Sequence, residues 1–190
     1  MCNKARVQPY FLHEERLVIA DVGVHILDLA RCLLGEVETL ACETQRIRPD
    51  LLGEDAATIL TRHANGARGV IELSFAARPD PDPFPETLVE IEGTLGAATL
   101  HPGCRMTVRT DAGARTEVAS APLLPWTAHP WHVSQEGAFA ACRHHLEAWR
   151  AGEPSQTSGA DNLRTVALVE AAYRSVASGR AVVPLTRHGA

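Results

Sequence analysis

The chain has 190 residues, 45% of them apolar and 22% charged, with a formal net charge of -5. That is enough for one full domain with a sizeable core, and the acidic balance argues against nucleic-acid or anionic-membrane partners. No apolar run approaches the roughly 20 residues of a membrane helix. Met1-Cys2-Asn3-Lys4-Ala5-Arg6 lacks the apolar segment of a signal peptide, so a cytoplasmic protein is expected. The five cysteines show no Cys-x-x-Cys spacing and read as reduced thiols. Cys32 and Cys142 fall in apolar helical patterns and read as core residues. Lys4 is the only lysine beside 17 arginines, so a mechanism needing a buried lysine must use Lys4 or draw one from elsewhere.

Tyr10 and Phe11 precede the first helix, and packing at its start is the favoured reading for both. Apolar positions recur with helical spacing from Val22 to Leu34, with Asp21 as a plausible N-cap and Gly35 at the C-cap. The period then changes to two, which predicts strands over Val37–Arg46, Asp55–His63 and Ala67–Phe75. Asn65-Gly66 marks a hairpin turn between the last two. In the second arm Gly69, Ile71, Leu73 and Phe75 share one face; Arg68, Val70, Glu72 and Ser74 share the other.

Arg78–Pro85 holds four prolines and predicts a loop. Strands follow at Thr87–Glu92 and Ala97–His101 across Gly93-Thr94-Leu95-Gly96, and a hairpin joins Met106–Arg109 to Thr116–Ala119. Pro122–Trp131 reads as an irregular loop that packs its tryptophans on the sheet. A helix over Ser134–Ala151 carries an apolar stripe of Phe139, Cys142, Leu146 and Trp149, and Gly152 ends it. The last helix, Asp161–Ser178, buries Leu163, Val166, Val169, Ala172 and Val176, and Ala181–Leu185 closes the chain as a strand. The order predicts an α+β fold: a predominantly antiparallel open sheet with helices on one face, in a single domain over residues 1–190.

Asp21 and His25 are four residues apart, about one helical turn, so they share a side of the helix. A carboxylate beside an imidazole orients it and favours its protonated form, which suits a proton-transferring histidine. The alternative is a capping aspartate followed by a histidine in the first turn. Asp28, three residues beyond His25, reads equally as a further site residue or a solvated one. Trp126, His129, Trp131 and His132 cluster in one loop, but no carboxylate or cysteine is spaced to complete a metal site. His144 and His145 point about 100° apart and read as surface residues. There is no Gly-x-Gly-x-x-Gly fingerprint, no Gly-x-Ser-x-Gly elbow and no His-Glu-x-x-His, so no cofactor motif is visible.

Asp21-Val22-Gly23-Val24-His25-Ile26-Leu27-Asp28-Leu29-Ala30-Arg31, closed by Leu34-Gly35-Glu36, resembles the substrate-site helix of the glucose–fructose oxidoreductase / inositol dehydrogenase / rhizopine-catabolism (Gfo/Idh/MocA) family. Further pieces agree in order: Arg6-Val7-Gln8-Pro9-Tyr10-Phe11, Gly53-Glu54-Asp55-Ala56-Ala57, Asn65-Gly66-Ala67-Arg68-Gly69, Glu90–Ala97, and Asp161-Asn162-Leu163-Arg164 through Tyr173 to Arg180. Family members join an N-terminal Rossmann domain, which binds NAD or NADP, to a C-terminal α+β domain that covers the substrate and builds oligomers. The chain resembles only the second half; the family's Glu-Lys-Pro motif, whose lysine helps bind the substrate, is missing.

The resemblance implies His25 as proton donor and acceptor and Asp21 as its orienting carboxylate; Asp28 and Tyr10 are the further candidates for the substrate side. In a complete enzyme a hydride would move between nicotinamide and substrate carbon while His25 handles the proton. The implied substrate is a polyol, sugar or related hydroxy compound. The chain alone is expected to bind neither NAD nor NADP and to be inactive: it would be a fragment, a truncated gene product or one of two separately encoded halves, the last with a separate Rossmann-domain polypeptide as partner, and the open sheet face is the expected homo-oligomer interface. A non-catalytic ligand-binding or oligomerisation module of the same fold is the alternative, and a metal enzyme built on the histidine-rich loop is a third reading.

Overall fold

Residues that alternate in polarity form strands here, and those with helical spacing form helices, of which the first and last cover a sheet. The computed structural model describes residues 8–77, 87–129 and 131–185. The proline-rich segment 78–85, Cys2, Lys4 and the Arg6-Val7 lead-in lie outside the described residues. Two compact units emerge, one from Met1–Ala77 with Thr157–Ala190, the other from Arg78–Gln156. The architecture is α+β, and every strand pairing is antiparallel.

The first unit holds a three-stranded sheet in the order β1-β2-β3: β1 (Val37–Gln45), β2 (Ala56–His63) and β3 (Arg68–Ser74). Cys42, Ile59 and Ile71 stand in register across it. These residues point inward with Leu40, Ala57 and Leu73 and form one core with Val18, Ile19 and Leu27 from the first helix and Leu168, Val169, Ala171 and Ala172 from the last. The other face of the sheet leaves Leu60 and Val70, paired across β2 and β3, 53% and 68% exposed. The Asn65-Gly66 turn forms as expected: Gly66 has φ 89°, and the Asn65 side chain accepts from the Ala67 amide.

A 3₁₀ turn (Pro9–Leu12) leads to a π-helical turn (Ile19–Gly23) that runs directly into α1 (Val24–Leu34). Helical backbone thus begins at Val18, earlier than the apolar spacing suggested. Gly35 ends α1 with its N–H on the Arg31 carbonyl. The expected closing strand is reduced to one bridge, in which Val182 and Leu40 exchange both backbone hydrogen bonds.

The last helix, here α3 (Gly159–Ser178), begins at Ser158, whose hydroxyl accepts from the Asp161 amide. Its buried face matches the expected one at Val169 and Ala172, with Val176 packed against the core, and differs elsewhere. Leu163 and Val166 are exposed, while Thr165, Leu168, Val169, Ala171, Ala172 and Ser175 are buried. Two of those are hydroxyls with specific partners. Ser175 Oγ accepts from the Cys42 amide at 2.9 Å and donates to the Arg180 carbonyl at 2.7 Å; Thr165 serves Arg31, described below.

The second unit is a four-stranded meander, β4 (Val89–Gly93), β5 (Gly96–His101), β6 (Arg105–Thr110) and β7 (Gly113–Val118), followed by α2 (His132–Ala151). The Phe139, Cys142, Leu146 and Trp149 stripe on α2 is exposed rather than buried; only His132 and Ala148 of this helix are buried. Trp126 packs edge-on against Phe139 of α2, with ring centroids 5.6 Å apart, and stays 54% exposed.

Candidate active site

A helix leaves its first N–H groups without internal partners, so its start must be capped from outside. The first helical bond here runs from the Asp21 N–H to the Leu17 carbonyl at 2.9 Å. The preceding donors converge on one distant residue. Glu54 Oε1 accepts from Leu17 N–H at 3.0 Å and Ile19 N–H at 3.2 Å, and the Glu54 backbone carbonyl accepts from Val18 N–H at 3.1 Å. Tyr173 of α3 donates its hydroxyl to the same Glu54 Oε1 at 2.8 Å. Asp21 is therefore not the N-cap: Glu54 does that work, and the Asp21 carboxylate is free for another partner.

That partner is Tyr10, whose hydroxyl donates to Asp21 Oδ1 at 3.1 Å. The phenol is pushed above its ordinary pKa, first by burial and then by the hydrogen bond and charge of Asp21, with Glu14 adding to it. Tyr10 and Asp21 line an open cleft of ≈ 180 Å³ with Glu14, Arg16, Leu17 and Ala20. Tyr10 is 44% exposed while its neighbour Phe11 is fully buried, so the two aromatic residues separate in role.

His25 lies one turn beyond Asp21 and is exposed. It makes no hydrogen bond with Asp21, and it is not among the cleft's lining residues. Asp28 faces a different neighbourhood. Its Oδ1 accepts from Thr165 Oγ1 at 2.6 Å and from Arg31 Nη1 at 3.3 Å. Arg31 is buried near the end of α1 and also binds Glu36 through Nε and Nη2, Asp161 through Nη1 and Nη2, and Thr165. Arg164 extends this network to Glu36 at 3.0 Å and to Asp161. The Arg31 pKa rises, led by its hydrogen bond to Glu36, and the Glu36 and Asp161 carboxyls are held low chiefly by their hydrogen bonds from Arg31.

The structure thus joins Tyr10 to Asp21, presents His25 nearby on the same helix, and draws Asp28 toward the buried arginine. In the second unit, His132 is buried with Nε2 3.0 Å from Ser120 Oγ, and its ring meets His129 at 4.2 Å. Among the described residues no three His, Cys, Asp or Glu gather to hold a metal. His144, read as a surface residue, accepts the Gln156 amide on Nε2.

Three residues of the site carry no local signal. Glu54, Tyr173 and Arg31 sit inside the family-like segments, yet their roles depend on partners far along the chain. A glutamate flanked by Gly53 was the available hint. A Cβ at Gly53 would lie 2.6 Å from the Glu14 carbonyl oxygen, so only glycine lets this loop close on residues 14–15.

A family model described as the GFO/IDH/MocA C-terminal domain matches residues 8–99. A D-apiose dehydrogenase of Rhizobium rhizogenes is 47% identical over 175 residues, spanning 92% of this chain and 51% of that protein. An oxidoreductase from Agrobacterium radiobacter, solved in complex with NAD+, L-tartaric acid and magnesium, aligns with a TM-score of 0.93 at 45% identity, over 95% of this chain and 53% of the other. Levoglucosan dehydrogenase, solved with NADH and levoglucosan, shares the fold at a TM-score of 0.70 and 20% identity, over 90% of this chain and 51% of the other. The chain belongs to the GFO/IDH/MocA family of oxidoreductases and corresponds to its C-terminal domain. It spans about half the length of the curated relatives it matches.

The described residues do not fit a dinucleotide. A pyrophosphate is held by a glycine-rich turn between a parallel strand and a helix N-terminus. Here every strand pairing is antiparallel, and the helix start beside the candidate site is occupied by the Glu54 carboxylate, which would repel a phosphate.

Proposed function

We propose that this chain is the substrate-side half of an NAD(P)-dependent dehydrogenase acting on a polyol, sugar or related hydroxy compound, with D-apiose the first candidate. The observation that carries the reading is the Tyr10–Asp21 hydrogen bond at the wall of an open cleft, with an exposed imidazole one helical turn further on. Oxidising a hydroxyl requires a base for its proton, and a histidine with an available ring nitrogen supplies one. In this reading His25 accepts that proton and returns it in the reverse direction. Asp21, steadied by Tyr10, stabilises the imidazolium so formed, and Asp28 offers Oδ2 to a substrate hydroxyl. The nucleotide belongs to residues beyond these 190, contributed by a covalently joined half or by a separate Rossmann polypeptide.

The test is to assay NADH formation from D-apiose and NAD+ by the chain alone, and by the chain joined to the nucleotide-binding half of the Rhizobium rhizogenes relative. Activity is expected only in the joined form and is expected to fall 10²- to 10⁴-fold in H25N. NADH production at enzymatic rates by the chain alone would overturn the assignment. A second element of the reading concerns the sheet face on which Leu60 and Val70 stand exposed side by side. An apolar cross-strand pair on an open face suits a self-complementary contact, so a homo-oligomer through this face is expected from light scattering.

A further inference from the structure

Three successive backbone N–H groups, those of Leu17, Val18 and Ile19, end on Glu54, two on its carboxylate and one on its carbonyl. The Tyr173 hydroxyl donates to the same carboxylate oxygen at 2.8 Å. The donors that begin the site helix thus end on the β1–β2 loop, and the residue that takes them is held in turn by α3. A serine or aspartate next to the helix would fill the N–H groups equally well. A remote glutamate does something a local cap cannot: it ties the position of the turn to two other elements.

We propose that Glu54, held by Tyr173, is a positioning residue for Asp21 and His25: its carboxylate fixes the π turn and so sets where Asp21 meets Tyr10 and where His25 is presented. This rests on the reading above, that Asp21 and His25 handle the substrate proton. A π turn is rare in isolation and needs outside support; such turns recur at functional sites. Here the support is a charge-assisted hydrogen bond at the positive end of the helix dipole, the strongest kind of contact the location allows. The loop that brings it has no slack, because the Gly53 backbone lies against Glu14 and Glu15 too closely for a Cβ. Tyr173 is itself pinned. The Arg16 guanidinium lies 4.3 Å from its ring centroid, and Arg16 pairs with Glu170 of α3 at 2.7 Å. Burial first, then the Glu54 bond and charge, raises the Tyr173 pKa well above the ordinary phenol value, so it remains a donor at working pH.

Tyr10 is the reporter. The chain has two tyrosines, so ¹³C-tyrosine labelling gives two ring Cζ signals, and D21A fixes the Tyr10 value for a broken Asp21 bond. In E54A at pH 7 the Tyr10 signal is expected to move at least half of the way to the D21A value. The amides of Leu17 and Ile19, which lose the carboxylate, are expected to exchange about tenfold faster, the factor lost with one charged hydrogen bond. E54Q keeps a carbonyl oxygen in place and is expected to restore most of both. If Glu54 only adds stability, E54A lowers the urea midpoint while Tyr10 in the folded protein keeps its wild-type signal, and that result overturns the proposal. Should E54A fail to fold, Y173F removes a single hydroxyl and is expected to move Tyr10 the same way by a smaller amount; no movement there also overturns it. In the joined enzyme E54A is expected to lower kcat about 10-fold or more with KM nearly unchanged. A moved Tyr10 signal with unaltered kcat would instead refute the proton-transfer reading of Asp21 and His25 while leaving the hold of Glu54 on the turn established.

Discussion

The two ends of the first helix use the same electrostatics for opposite purposes. At its start a carboxylate, Glu54, meets the exposed N–H groups; in its last turn a guanidinium, Arg31, sits where the carbonyl ends make the potential negative. Both charges arrive with partners from α3, Tyr173 at one end and Thr165 with Asp161 at the other. The far end is sealed: Arg31 is buried, and its carboxylate partners answer its charge. The near end is left open. Because the cap comes from a remote loop, Asp21, Tyr10 and His25 keep polar atoms for solvent or substrate. The difference teaches that one helix can be anchored at its back and functional at its front only if its front is capped by something other than its own first turn.

The largest expected effect separates the two ends directly. H25N in the joined enzyme is expected to lose 10²- to 10⁴-fold in kcat, the range of a lost proton-transfer group, while the urea midpoint of the chain stays within about 0.5 kcal/mol of wild type because the side chain is exposed. R31M should invert that pattern. It leaves Glu36, Asp28 and Asp161 facing an apolar side chain and is expected to cost about 3 kcal/mol by urea unfolding.

The back end also carries a pH signature. Glu36 and Asp161 are held below the ordinary carboxylate range mainly by Arg31, so their contribution to stability is whole above the unfolded-state values near 4 and fades as pH falls through the depressed folded values. Urea midpoints measured from pH 7 down to pH 2.5 are expected to drop more steeply for wild type than for R31M. Parallel curves would show that Arg31 is not the source.

How far this arrangement could be read from the residues alone depends on the range of each contact. The first three strands, the Asn65-Gly66 turn and the Gly35 stop are local, set by side-chain alternation and by backbone angles, and they appear within a residue or two of where the pattern puts them. The helical period of α3 was legible and so was part of its face, through Val169, Ala172 and Val176, but Leu163 and Val166 lie outside it. Thr165 and Ser175 look like surface residues until Arg31 and the Cys42 amide supply partners for their hydroxyls. The α2 stripe shows the converse, since periodicity says that one face is apolar and is silent about what covers it. Cys32 and Cys142, expected in the core, are exposed for the same reason, whereas Cys42 on the sheet's inner face is buried and its thiol is pushed up to about 11, first by that burial. In the candidate site, the Asp21–His25 spacing is visible from sequence. Asp21's release from capping is not, because the residue that replaces it lies 35 positions from Ile19.

The smallest effect concerns the glycine at the sealed end. Gly35 has φ 84° and ψ -172°, a region open to glycine and closed to residues with a Cβ. Space is not the obstacle, since an added Cβ would meet only Asn65 Nδ2, at 3.7 Å. G35A is therefore expected to cost about 2 kcal/mol through backbone strain alone. Asparagine separates this from an ordinary helix stop. It tolerates the left-handed helical region, where ψ is near +47°, but gains nothing at ψ near 180°. G35N should thus be no more stable than G35A by urea unfolding. A clear rescue by asparagine would mean that α1 ends in a common left-handed cap, and that Arg31 and its carboxylates, rather than the backbone, hold the helix end in place.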